Sequence, residues 1–162
     1  MLLARAHESC LSPPMPLGQC LELAVLLERA GALFYARAAN ELAEQPVIRE
    51  LLLSLADDER VHEDQFETLR ALAPDNHASV TTDYLKALTI HRFFSGPEAP
   101  LRLMPQARSV RQVLSLALQF ERETLEAFVQ LRAAIQHAQG LELLDAIIET
   151  ERIHVLRVGR WV

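Results

Sequence analysis

Glu59-Arg60-Val61-His62 recurs near the end of the chain as Glu151-Arg152-Ile153-His154, in the same Glu-Arg-aliphatic-His order. Both copies lie in sequence of strongly helical character. On a helix, residues three positions apart share a face, with Cβ atoms roughly 5–6 Å apart. Each copy can therefore offer a carboxylate and an imidazole to the same point, which is a spacing of metal ligands. A single Glu-x-x-His is weak evidence because it is common on solvated helix faces, so its meaning depends on the surrounding sequence.

A proline separates the first predicted helix from the second. Gln45 precedes Pro46, and a residue before proline is pushed out of the α region, so the helix that begins near residue 16 ends near residue 44. Pro46 suits the first turn of the next helix, where its missing N–H costs nothing, and that helix extends to about residue 73. The connection is short, and short connections make antiparallel neighbours.

The second half of the chain repeats this plan after an irregular segment. Residues 74–108 lose helical periodicity and have room for one short helix, at about 83–93. The capping box Ser109-Val110-Arg111-Gln112 opens a third helix, predicted to run to about residue 139, where Gly140 supplies the stop. A fourth helix is predicted from residue 141 to about 157.

Two helical hairpins joined by a long crossover predict an all-α, antiparallel four-helix bundle. We assign it to residues 16–162, as a single domain that follows a tail at residues 1–15. The apolar stripe of each helix agrees with this fold, and each stripe is interrupted by charge near its middle. The interrupting carboxylates belong to Glu28, Glu59, Glu121 and Glu151. Four inward Glu at similar heights is not the pattern of an ordinary apolar core.

The two halves space their carboxylates almost identically. Glu59 follows Glu28 by 31 positions, and Glu151 follows Glu121 by 30. One Glu from each of two helices, with a Glu-x-x-His from each of the other two, is the inward ligand set of ferritin-like di-metal carboxylate bundles. The predicted metal ligands are Glu28, Glu59, His62, Glu121, Glu151 and His154. The alternative without a metal site is that some of these Glu lie at helix edges and that the two His are core residues whose hydrogen bonds are satisfied.

Charge favours the metal site. Burying ionised carboxylates without partners costs several kcal/mol each, and no inward Lys or Arg is placed to neutralise four of them. Two divalent ions would balance them, with His62 and His154 neutral. Glu59 and Glu151 are the predicted bridges, each one turn from a His that binds its own metal, and the other two Glu are terminal ligands. Six side chains leave coordination positions open, and the ligand types suit Fe, Mn or Zn.

Composition and charge limit the other possibilities. Half of the 162 residues are hydrophobic, and the formal net charge of −6 argues against a nucleic-acid partner. No run is apolar enough to span a membrane, and the N-terminal residues are too few and too polar for a signal peptide. Cys10 and Cys20 are the only cysteines and cannot build a sulfur-ligated site within one chain, so a reducing cytoplasm is the expected location. Asp57 and Asp58 fall out of phase with the core and are predicted to be solvated.

Four motifs carry a family resemblance. They are Glu28-x-x-Gly31-x-x-Phe34-Tyr35, Leu55-Ala56-Asp57-Asp58-Glu59-x-x-His62, Phe120-Glu121-Arg122-Glu123 and Glu151-x-x-His154. Over about residues 18–158 the chain resembles the rubrerythrin-like branch of the ferritin-like superfamily. The resemblance implies a centre of two iron ions, reduction of peroxide or dioxygen, and a homodimer. Tyr35 lies two turns beyond Glu28 and is expected as a core aromatic that can also border the metals.

Two departures from the family pattern shape the functional hypotheses. The peroxidase members add a rubredoxin-like iron site with paired Cys-x-x-Cys, which is absent here, so an external molecule must donate electrons. They also carry a further ligand Glu one turn after the third-helix Glu, where this chain has Thr124. Thr124 could donate a hydrogen bond to a bound oxidant or water. The remaining symmetric six-ligand set is closer to that of ferritins and bacterioferritins.

Three hypotheses follow for function. The leading one is a di-iron oxidoreductase that reduces peroxide or dioxygen. The second is a ferroxidase that oxidises iron for storage or detoxification. The third, from another class, is a non-catalytic bundle whose metal, such as zinc, is structural.

Overall fold

The computed structural model describes residues 17–73, 109–133, 135 and 138–162. These residues form four α-helices and no strand. The helices are α1 (Leu17–Glu41), α2 (Pro46–Ala71), α3 (Val110–Arg132) and α4 (Ala138–Gly159). The predicted tail at residues 1–15, the crossover and its short helix lie outside the described residues.

The helices pack as two antiparallel hairpins, α1 with α2 and α3 with α4. Ion pairs fix the direction of the first hairpin, because Arg29 meets Glu63 while the earlier Glu22 meets the later Arg70. Further contacts join α1 to α3 and α2 to α4, which closes the bundle. The predicted all-α four-helix bundle is confirmed. Among the helices described, none combines the length and the hydropathy needed to span a membrane.

The helix starts follow the predicted local chemistry. Gln45 has non-helical dihedral angles (φ −117°, ψ 77°), and Pro46 occupies the first turn of α2. At the start of α3, Ser109 is extended (φ −149°, ψ 155°), and its Oγ accepts a hydrogen bond of 3.2 Å from the backbone N–H of Gln112. This bond satisfies one of the donors that a helix N-terminus leaves unpaired.

The predicted boundary between the last two helices is wrong. The helix α3 ends at Arg132 and not near residue 139, and Gly140 lies in the first turn of α4 and does not stop a helix. A Cβ atom at Gly140 would lie 3.1 Å from Ile135 Cγ2 and 3.5 Å from Leu69 Cδ1. The glycine is therefore explained by close packing against α2 and the α3–α4 connection. The first helix is also slightly shorter than predicted, since α1 ends at Glu41 in a turn.

The predicted inward stripes form the core between the four helices. The largest fully buried side chains include Leu21, Leu52, Leu114 and Leu144, one from each helix. Aromatic residues pack in two groups around the carboxylates. Phe34, Tyr35 and Phe120 form one group, with ring centroids 5.2–6.2 Å apart, and Phe66 and Phe128 form the other, at 5.1 Å. The acidic residues are thus enclosed by apolar packing.

Candidate metal centre

All six predicted ligands lie buried at the centre of the bundle, with exposed fractions of 0 to 5%. They form two overlapping groups in which one ligand atom from each residue lies within 4.8 Å of the others. The His62 position consists of Glu28, Glu59, His62 and Glu151; the His154 position consists of Glu59, Glu121, Glu151 and His154. Glu59 and Glu151 belong to both positions, where the sequence places the bridging ligands.

The two imidazoles turn the same nitrogen toward the carboxylates. His62 Nδ1 lies 3.0 Å from Glu151 Oε1 and 3.5 Å from Glu28 Oε2. His154 Nδ1 lies 3.6 Å from carboxylate oxygens of both Glu59 and Glu121. The two rings stack with centroids 5.7 Å apart and an interplanar angle of 25°. Each Nδ1 atom therefore faces the space between the carboxylates.

The polar atoms of this cluster have almost no hydrogen-bond partners. Within the described residues, seven of the eight carboxylate oxygens of the four Glu, and both Nδ1 atoms, are buried without one. Such orphaned groups are rare in proteins and costly, because burial removes the water that would otherwise satisfy them. No Lys or Arg among the described residues forms an ion pair with the four Glu. Carboxylate and imidazole donors facing one small volume fit a pair of divalent first-row cations.

Burial and proximity shift the pKa values of the cluster in opposite directions. Burial raises the pKa of Glu28 and of Glu121 well above the usual carboxyl value, and the nearby charge of Glu59 raises both further. Burial also opposes ionisation of Glu59, but contacts with Glu28 and the two imidazoles outweigh it and lower its pKa to about 2.

The imidazoles respond to the same carboxylates. Desolvation lowers the pKa of His62, but contacts with Glu151 and Glu28 outweigh it and raise the pKa to about 12. The pKa of His154 is raised in the same way, chiefly through Glu121 and Glu151 after desolvation. Without metal, the raised pKa values of His62 and His154 favour protonated imidazoles beside the carboxylates, and a cation would displace those protons.

Two further predicted residues border the cluster. The phenol of Tyr35 donates a hydrogen bond to Glu121 Oε1, and burial together with the Glu121 charge raises the tyrosine pKa. Thr124 is buried, and its Oγ1 has no hydrogen-bond partner among the described residues. Tyr35 thus fixes one carboxylate oxygen of the cluster, and Thr124 carries a buried hydroxyl group one turn after Glu121 on α3.

Asp58 is a neighbour of the cluster that the sequence pattern missed. Its Oδ2 lies 3.3 Å from His154 Nε2, on the far side of the ring from the carboxylates, although the two groups are not aligned as a hydrogen bond. Arg157 Nη1 donates to the same Oδ2 at 2.9 Å, and Arg157 Nη2 donates to Ser54 Oγ at 2.9 Å. Asp58 is not simply solvated, as predicted, because it lies on the flank of α2 that faces α4. The sequence feature that could have identified Asp58 as a neighbour of the cluster was its position directly before the Glu-x-x-His motif.

Gly31 permits the close approach of three helices at the cluster. A Cβ atom at this position would lie 2.9 Å from Phe120 Cε1 and 3.2 Å from Glu59 Cγ. Both distances are shorter than a comfortable contact, so the bare backbone of α1 gives Glu59 its room. The remaining histidines lie outside the described part of the chain: His7, His77, His91 and His137.

A four-helix bundle with buried carboxylates and imidazoles at its centre defines the ferritin-like di-metal carboxylate class. The family model for rubrerythrin matches residues 19–160, so the chain belongs to the rubrerythrin family. No curated protein matches the chain.

A solved structure shares the fold. It is the crystal structure of a protein from Thermotoga maritima whose description as a ferritin-like diiron-carboxylate protein is itself an inference. The match covers 90% of this chain and 93% of that chain, with a TM-score of 0.64 and 20% sequence identity. At this identity, the likeness shows the common fold.

Proposed function

We propose that the protein is a di-iron oxidoreductase that reduces peroxide or dioxygen at the buried cluster. The observation that carries the proposal is the pair of overlapping four-residue groups that share Glu59 and Glu151. Mixed carboxylate and imidazole ligands suit iron, and membership of the rubrerythrin family favours iron over manganese or zinc. A bound iron pair would supply two electrons to one oxidant.

The six ligands divide the binding of the two ions. If two ions bind, Glu28 and His62 would complete one position and Glu121 and His154 the other, with Glu59 and Glu151 available to both ions. Burial of the whole set within the aromatic core keeps bulk water away. A dry site strengthens every charge interaction between ligand and cation.

Two side chains are suited to handle hydrogen bonds and protons at the cluster. The hydroxyl of Tyr35 donates a hydrogen bond to Glu121 Oε1, and Oε2 of that carboxylate has no hydrogen-bond partner among the described residues. The unpartnered Thr124 Oγ1 lies one turn after Glu121 on α3, and we assign it as a hydrogen-bond donor to the oxidant or to water.

The proposal includes partners outside the chain. With only two cysteines and no Cys-x-x-Cys pair, the protein needs an external electron donor to return the iron to the ferrous state. We also propose a homodimer and a reducing cytoplasmic setting, in which such a donor is available.

Rapid mixing tests the reaction. Protein loaded anaerobically with two equivalents of ferrous iron should consume peroxide or dioxygen as a ferric absorbance appears, faster than free ferrous iron in the same buffer. His62→Ala and Glu151→Ala should lose this reaction. Arg152→Ala is the matched control, because Arg152 lies between two ligands but is exposed and pairs with Glu149. If the loaded wild type reacts no faster than free iron, the metal is structural and the enzyme proposal fails.

Ferroxidase activity is the second candidate, and the identical composition of the two four-residue groups, three Glu and one His each, favours it. Excess ferrous iron distinguishes the two. A ferroxidase oxidises many equivalents per chain without an added reductant, whereas a peroxide or dioxygen reductase stops after one turnover until a donor is supplied.

A further inference from the structure

The ligands of the cluster repeat between the two halves of the chain, but their neighbours do not. Counted from the lone Glu of each half, Tyr35 corresponds to Phe128, seven positions later. Counted from each Glu-x-x-His motif, Asp58 corresponds to Thr150, one position earlier. Tyr35 and Asp58 both contact ligands of the His154 position, so the two metal positions have different neighbours.

The His154 position is held by both. Tyr35 donates to Glu121 Oε1, and Oε2 has no hydrogen bond to any residue that the structure describes. Asp58 lies 3.3 Å from His154 Nε2 and leaves Nδ1 facing the carboxylates. Arg157 anchors Asp58 at 2.9 Å and is itself bonded to Ser54. Before any cation arrives, a hydrogen bond thus restrains the terminal carboxylate of Glu121, and an anchored carboxylate lies behind the imidazole of His154.

The His62 position has neither support. Both oxygens of Glu28 lack hydrogen-bond partners in the described part of the chain. Phe128 has no hydroxyl group to offer and packs against Phe66. Thr150 uses its hydroxyl within its own helix, where it donates to the carbonyl of Ala146 at 3.2 Å. Within the described ranges, the ion pairs of His62 all involve Nδ1, so no carboxylate holds the other side of its ring.

We infer that the two metal positions are inequivalent: a divalent cation fills the His154 position first and tightly, and the His62 position second and weakly. Restrained ligands lose less conformational freedom on binding, which increases affinity. A carboxylate behind a ligating imidazole also fixes its orientation and raises its basicity. Asp58 and Tyr35 therefore act as positioning residues. This inference depends on the proposed function insofar as the cluster must bind two cations.

An anaerobic calorimetric titration with Co²⁺ tests the order of filling. The wild type should bind two ions in two steps, with dissociation constants at least about tenfold apart. Glu28→Gln should lose the weak step and keep the tight one, whereas Glu121→Gln should lose the tight step. Equal affinities, or the reverse pattern in these two variants, would overturn the inference. A wild type that binds no Co²⁺ would overturn the proposed metal centre and the inference together.

The positioning residues are tested by variants that change one polar atom or group. Tyr35→Phe and Asp58→Asn should each weaken the tight step about 10- to 100-fold and leave the weak step unchanged, while Asp58→Glu should recover part of the loss. Thr150→Ala, at the corresponding place in the other half, is the matched control and should change neither step. If Tyr35→Phe and Asp58→Asn bind Co²⁺ as the wild type does, these residues do not set the difference and the inference is wrong.

Discussion

Four buried carboxylates and two imidazoles can coexist without metal only if they share protons. The raised pKa values of Glu28, Glu121 and His62 mean that the folded protein binds these protons more tightly than the unfolded chain does. Their contribution to stability is therefore complete below the ordinary pKa of each group and is lost as the pH rises through the raised value. For His62 that window extends from 6.5 to about 12. Glu59 behaves oppositely, and its contribution is lost as the pH falls from 4.5 toward about 2.

Metal uptake should consequently release protons. Because a cation needs His62 and His154 unprotonated at Nδ1 and the carboxylates ionised, affinity should rise with pH between about 6 and 8. Calorimetric titrations in two buffers of different ionisation enthalpy measure the released protons directly. Binding heats that do not depend on the buffer would contradict the proton-sharing arrangement.

At the scale of single helices, the space above Gly31 decides whether α1 can approach α2 and α3. Gly31→Ala would place a Cβ atom 2.9 Å from Phe120 and 3.2 Å from Glu59. Overpacking of this kind costs roughly 1–3 kcal/mol, and displacement of Glu59 should also weaken cation binding. Urea unfolding of the metal-free protein measures the first effect, and a Co²⁺ titration measures the second.

Gly159 provides the control for this substitution. A Cβ atom there meets nothing closer than Leu118 Cδ1 at 3.8 Å, an ordinary contact. Gly159→Ala should leave both the unfolding free energy and cation binding nearly unchanged. If Gly31→Ala changes the unfolding free energy and cation binding as little as Gly159→Ala does, the close contacts at Gly31 are relieved without cost.

The helix periodicity predicted the inward faces because burial follows the 3.6-residue repeat, and Glu28, Glu59, Glu121 and Glu151 all fall in phase with it. The same repeat says little about the flanks of a helix, where Asp58 contacts a neighbouring helix. Helix ends were harder to predict for a related reason. The role of Gly140 depends on Leu69, which is distant in sequence, so local stop signals gave the wrong boundary between α3 and α4.

For the molecule as a whole, metal binding and stability should be coupled. A cation that binds the folded cluster and not the unfolded chain raises the free energy of unfolding, and its removal leaves the carboxylates without partners. Chelation should therefore lower the melting temperature of the wild type. Glu59→Ala should abolish most of that difference, because Glu59 belongs to both metal positions.

The control for this coupling is Glu50→Ala, at an exposed position of the same helix. This variant should keep the full difference between chelated and metal-loaded protein. If the wild-type melting temperature is the same with and without metal, the cluster does not bind cations in the folded state.

The most direct test of a buried iron pair is anomalous X-ray diffraction at the iron absorption edge, on crystals of protein purified without added metal. Two anomalous peaks are expected inside the bundle, both beside Glu59 and Glu151, one bordered by Glu28 and His62 and the other by Glu121 and His154. An empty cluster, a peak that lies away from these six side chains, or a signal that appears only at the zinc edge would contradict the di-iron centre.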